Sequence, residues 1–192
     1  MADTGRHTIN YYGRWLHRTA VALFTLICIT IFLIAIGLFD PIPPEINSVK
    51  IPPITLSVDP ESQTIIWQTN LPSPPYLINL TANLQSGEVD SGYGLLLGTN
   101  NAYFAVAVAP TGYLSVWQTG AQATTFLPWQ TWPHIQTGNN ANEIGVEVAA
   151  DGFVTVRING EYLWSGAIEM PLEAVGIYGE SFGKTAVIHF QE

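Results

Sequence analysis

The chain has 192 residues, of which 47% are hydrophobic and only 11% charged, and its formal net charge is −9. That composition excludes a disordered chain, which lacks the apolar surface to fold. The acidic balance excludes a nucleic-acid partner, which needs a basic patch, and a single cysteine excludes a disulfide framework or an iron–sulfur centre.

Residues 1–19 form a short tail with Arg6, Arg14 and Arg18 against one acid, Asp3. The next 20 residues, Ala20 to Phe39, carry no charged side chain. About 20 apolar residues are what a helix needs to cross the hydrocarbon core, and a helix pairs its own backbone polar groups there. Inside the run, Thr25 and Thr30 can bond back to the preceding turn. A cleavable signal peptide is the rival reading, with Ala35 and Gly37 at a cleavage spacing. The run is, however, longer than the typical 7–15 residues of such a peptide. Positive charge stays cytoplasmic, so the N-terminus is expected inside a plasma membrane and the remainder outside, periplasmic or extracellular. Tyr11, Tyr12, Arg14, Trp15 and Arg18 suit the headgroup layer. Thr25, Cys28, Ala35 and Gly37 are the small residues that would let a partner helix approach closely.

Residues 40–53, DPIPPEINSVKIPP, read as a proline-rich stalk in extended conformation. From residue 54 to 192 the pattern is β throughout. Predicted strands are Ile54 to Val58, Thr64 to Thr69, Tyr76 to Gln85, Gly92 to Gly98, Tyr103 to Ala109, Tyr113 to Gln118, Asn142 to Ala149, Phe153 to Ile158, Glu161 to Ser165, Ala174 to Gly179 and Thr185 to Phe190. Asp151-Gly152 and Asn159-Gly160 suit tight hairpin turns, which need positive φ. In Phe153 to Asn159 apolar and polar residues alternate, the period of a half-buried strand. Short strands with regular turns predict an all-β, antiparallel sandwich. The longest irregular piece is Thr119 to Asn140, and loops of that length are often functional.

That loop carries Phe126, Trp129, Trp132 and His134, with Trp117 just before it. These side chains could stack on a sugar ring, anchor a protein interface or cap the core. Paired carboxylates for glycoside hydrolysis are harder to find. Glu88 and Asp90 are two apart, but Gly92 and Tyr93 follow where a further acid would complete the pattern. Glu143 and Glu147 share a strand face, near Asp151, and an exposed polar edge explains them equally well. No spacing points to a metal, a nucleophilic triad or a phosphate loop, so no cofactor is expected and the chain reads as a non-enzyme.

The succession Gly92-Tyr93-Gly94-Leu95-Leu96-Leu97, Tyr103-Phe104-Ala105-Val106-Ala107-Val108, Gly112-Tyr113, Asn142 to Val148, Val156-Arg157-Ile158-Asn159-Gly160 and Val175-Gly176-Ile177-Tyr178 resembles the concanavalin A-like lectin/glucanase jelly roll, in its laminin-G-like branch. The resemblance covers roughly Ile54 to Gln191. It implies a jelly-roll sandwich and carbohydrate binding or hydrolysis. Fold alone does not fix function. Two functional expectations follow. One is a non-catalytic accessory subunit of a larger membrane complex, such as a respiratory or photosynthetic electron-transfer complex, with other membrane subunits and the lipid bilayer as partners. The other is a membrane-tethered carbohydrate-binding module of the cell envelope.

Overall fold

A computed structural model describes the backbone of residues 5–35 and 46–191, and the side chains of residues 15–33 and 46–191. Residues 36–45, among them Gly37 and the end of the expected span at Phe39, therefore lie outside the described residues, as do the side chains of Tyr11, Tyr12, Arg14 and Ala35. The chain forms two compact units, a helix and a β-sandwich.

The helix α1 spans Gly5–Ala35, so residues 5–19 continue the helix expected from Ala20. No proline interrupts this stretch. Its span Trp15–Leu33 has a mean hydropathy of 1.9, long and apolar enough to cross a membrane. Thr25 Oγ1 donates to the Val21 carbonyl and Thr30 Oγ1 to that of Leu26, both at 2.9 Å. These bonds remove the cost of placing hydroxyls in an apolar span. Trp15, Arg18 and Cys28 are exposed on this helix.

Thirteen strands make the sandwich: β1 Asn47–Val49, β2 Ile54–Val58, β3 Ser62–Asn70, β4 Tyr76–Ser86, β5 Gly92–Gly98, β6 Tyr103–Ala109, β7 Tyr113–Gln118, β8 Thr124–Thr131, β9 Asn142–Val148, β10 Phe153–Ile158, β11 Glu161–Ala167, β12 Ala174–Ser181 and β13 Ala186–Gln191. One sheet has the order β3-β12-β5-β6-β7-β8; the other has the order β11-β10-β9-β4-β13-β2, with β1 added parallel to β4. All other pairings are antiparallel.

The period of two places alternate residues inside. On β4, Tyr76, Ile78, Leu80, Ala82 and Leu84 are buried, while the residues between them are half-buried. They meet Leu95, Leu97, Phe104 and Val106 of the facing sheet in one core. Each fully buried side chain of this size contributes about 1.5–3 kcal/mol of transfer free energy. The β10–β11 turn forms as its dipeptide predicts: Asn159 and Gly160 take φ of 53° and 82°.

Two sequence expectations are corrected. The described part of the expected stalk, from residue 46, is not a separate proline-rich spacer, because Asn47–Val49 pairs with Tyr76–Ile78 of β4 as a strand of the sandwich. Val49 and Ile51 are buried in the core, which holds this segment down despite its prolines. The segment Thr119 to Asn140 is not wholly irregular, because Thr124–Thr131 forms β8. Pro128 hides this strand in the sequence, yet proline is tolerated on a sheet edge, where no ladder donor is required.

Candidate functional site

The six-stranded sheet is apolar on both faces. Its inward residues belong to the main core. On its outward face Leu96, Ala105, Ala107 and Tyr178 are also buried, packed under Ile65, Trp67, Tyr103 and Trp117. Small outward residues on β5 and β6 make this possible. A side chain at Gly94 would collide with the Val106 backbone of β6. Over this floor Trp117 meets Tyr178 edge-on at 5.7 Å, and Trp67 meets Tyr103 at 6.4 Å.

Trp129 reaches this face from β8, at the edge. A Cβ placed on Gly92 would lie only 3.5 Å from the Trp129 ring and 3.7 Å from that of Tyr178. Gly92 is on β5, three strands in from β8. Three strand spacings come to about 14 Å, further than an indole reaches, so the sheet curls and this face is concave. The Ser115 hydroxyl donates to the Leu127 carbonyl at 2.9 Å, where the β7–β8 register shifts. That bond fixes the edge strand just before Trp129.

Trp129 is 42% exposed and is a wall of two clefts. The first, of about 170 Å³, is lined by Asp90, Ala109, Thr111, Tyr113, Trp129 and Phe182. Tyr113 and Phe182 are themselves exposed. The second, of about 290 Å³, lies against Ser115, Trp117, Thr125, Pro128, Trp129 and Tyr178. Burial pushes the Tyr178 phenol above its ordinary pKa, and the hydrogen bond to Glu180 and that group's charge push it further. Tyr178 thus stays a neutral donor, committed to Glu180 at 2.5 Å. Together the clefts offer flat apolar rings beside a carboxylate and hydroxyls.

The structure separates the aromatic residues singled out in the sequence. Trp117 and Trp129 share the second cleft. Phe126 turns inward, 4.7 Å from the Trp164 ring and 6.2 Å from Phe104. Trp132 is part-buried against the core, and its ring lies 5.7 Å from that of the exposed His134. Their loop is tied down by buried Asn142. That side chain accepts from the Gln136 N–H at 2.7 Å and donates to the Gln136 carbonyl at 2.9 Å and to Tyr93 Oη at 3.2 Å. Asn159 Nδ2 donates to the His134 carbonyl at 2.6 Å and to Asn142 Oδ1 at 2.9 Å. Sequence reasoning missed Tyr113, Tyr178 and Phe182, which come from other segments. Of the acids weighed for hydrolysis, Glu88 lies 3.7 Å from Lys184, and Asp90 lines the first cleft.

No family model matches the chain, and no curated protein matches it in sequence. Solved structures do. The carbohydrate-binding module CBM66 from Bacillus subtilis is similar with a TM-score of 0.54 at 11% identity, over 77% of this chain and 99% of that one. A functionally unknown protein from Saccharomyces cerevisiae is similar with a TM-score of 0.52 at 7% identity, over 73% of this chain and 85% of that one. At such identities the likeness establishes the fold: the sandwich is a concanavalin A-like jelly roll, carried behind an apolar N-terminal helix.

Proposed function

We propose that this protein is a non-catalytic carbohydrate-binding module tethered to a membrane by its N-terminal helix, with the sandwich outside the cell membrane. The observation that carries the reading is Trp129, an exposed indole standing between two clefts on a concave sheet face. A sugar ring has an apolar C–H face and a rim of hydroxyls. Trp129, Tyr113 and Phe182 offer rings to the first; Asp90 and Thr111 offer polar partners to the second. The sharing of Trp129 suits a ligand of two or more rings, one on each side of the indole. The fold likeness to a carbohydrate-binding module supports the same reading. The accessory-subunit reading drawn from the sequence has no comparable support.

Affinity electrophoresis of the detergent-solubilised full chain, in gels containing neutral polysaccharides, tests the proposal. At least one polysaccharide is expected to retard migration, and Trp129→Ala is expected to reduce the retardation clearly while leaving the thermal transition in place. Retardation that survives Trp129→Ala unchanged would remove this face as the site.

A further inference from the structure

The outward face of the seven-stranded sheet holds another concavity, of about 240 Å³. Three strands meet there in register. Asn79 on β4, Gly145 on β9 and Arg157 on β10 stand opposite one another. Leu77, Glu147 and Thr155 form the next row, and Glu143 stands beyond Gly145 on the other side. Gly145 supplies no side chain, so it leaves a hole in this lattice. A Cβ there would lie 3.2 Å from Asn79 Oδ1, which shows that the amide leans over the hole. Arg157 Nη1 donates to the Gly160 carbonyl at 3.3 Å, so the hairpin turn holds the guanidinium at the rim. Among the described residues neither Glu143 nor Glu147 is in an ion pair.

We infer that this notch is a second saccharide site, taking one ring of a neutral glycan on the face opposite Trp129. The chemistry of its rim narrows the occupant. Carboxylates accept, a guanidinium donates, and an amide and a hydroxyl do both. Vicinal hydroxyls match that mixture, and Leu77 meets a C–H face. A phosphate or a uronate is repelled by two carboxylates. A single metal ion is excluded by distance: the Cα atoms of Glu143 and Glu147 are four residues apart on a strand, about 13 Å, with Arg157 beside the gap. A hydrophobic peptide finds no aromatic anchor in the notch. Because the two sheets lie back to back, both faces can be filled at once, and one sandwich can bridge two glycan chains. The notch shares no lining residue with the aromatic clefts, so the two sites stand or fall separately.

Isothermal titration of the full chain in detergent with a panel of neutral gluco-, galacto-, manno- and fructo-oligosaccharides tests this. Trp129→Ala empties the aromatic face. Gly145→Thr fills the notch, and threonine suits a strand, while Glu147→Gln removes one acceptor at the surface. Binding is expected to persist in Trp129→Ala. Gly145→Thr or Glu147→Gln added to it should weaken what remains by at least about tenfold, with unchanged circular dichroism. Loss of all binding in Trp129→Ala alone would overturn the second site and leave the first standing. Binding that Gly145→Thr and Glu147→Gln leave untouched would overturn it too. Binding lost in Gly145→Thr but kept in Trp129→Ala would support the notch against the aromatic face. No heat with any sugar of the panel would overturn both, whereas capture of a basic peptide by the notch would overturn the second site alone.

Discussion

Single residues carry distinct tasks in this sandwich. Tyr76 is fully buried, and its hydroxyl has no hydrogen-bond partner. Burial pushes its phenol up to about 12. The folded state therefore holds this proton more tightly than the unfolded chain, whose phenol titrates near 10. The resulting stability is complete below pH 10 and is lost as pH rises from 10 to 12, by about 3 kcal/mol in all. Urea unfolding at stepped alkaline pH should show that decline, and Tyr76→Phe should flatten it. The same substitution removes an unpaired buried hydroxyl, so at neutral pH it should leave the midpoint unchanged or raise it, by up to about 1 kcal/mol. Asn142 is the opposite case, buried and fully engaged. Asn142→Ala strands the Gln136 backbone and frees the loop of Trp132 and His134. A loss of about 2–3 kcal/mol is expected in chemical denaturation.

Elements add constraints that no residue has alone. The edge strand β8 holds Trp129 over the concave face, and the Ser115 hydroxyl pins it to β7. Ser115→Ala should cost about 1 kcal/mol of stability. It should also weaken polysaccharide retardation more than that loss implies, because the indole loses its position as well. The helix α1 acts as a unit of hydropathy. Aspartate at Leu26, central in Trp15–Leu33, opposes insertion by about 3 kcal/mol. Leu26→Asp should move the chain from the carbonate-washed membrane fraction into the soluble one. The intact mass of the membrane-bound wild type should include residues 15–33; a mass lacking them would mean a cleaved signal rather than an anchor.

At the scale of the whole molecule, charge sets which ligands the proposed sites would admit. One of the fifteen acids precedes the apolar run, so fourteen lie beyond it, against Lys50, Arg157 and Lys184. Such a surface repels anionic polymers over about 10 Å at 0.1 M salt. Binding to neutral polysaccharide should change little with ionic strength. Polyuronates should fail to bind at low salt, a contrast that gel retardation at two salt concentrations reads directly.

The sequence by itself determined what is local. The run from Ala20 announced, by length and lack of charge, the apolar helix that the structure describes as far as Ala35. Alternation in Phe153 to Asn159 and the turn pairs Asp151-Gly152 and Asn159-Gly160 marked strands, and their succession carried the jelly-roll resemblance. These signals rest on neighbours in the chain, where period and turn chemistry act. Only the tertiary structure decided which aromatics face outward. Phe126 and Trp129 are three residues apart, yet one packs on Trp164 in the core while the other walls two clefts. Tyr113, Phe182 and Asp90 reach the first cleft from separate turns and strands. Asn79 and Arg157 meet across Gly145 only through strand register. Register and sheet curl are set by packing between distant segments, so the proposed site on each face is written in pairings that no local pattern contains.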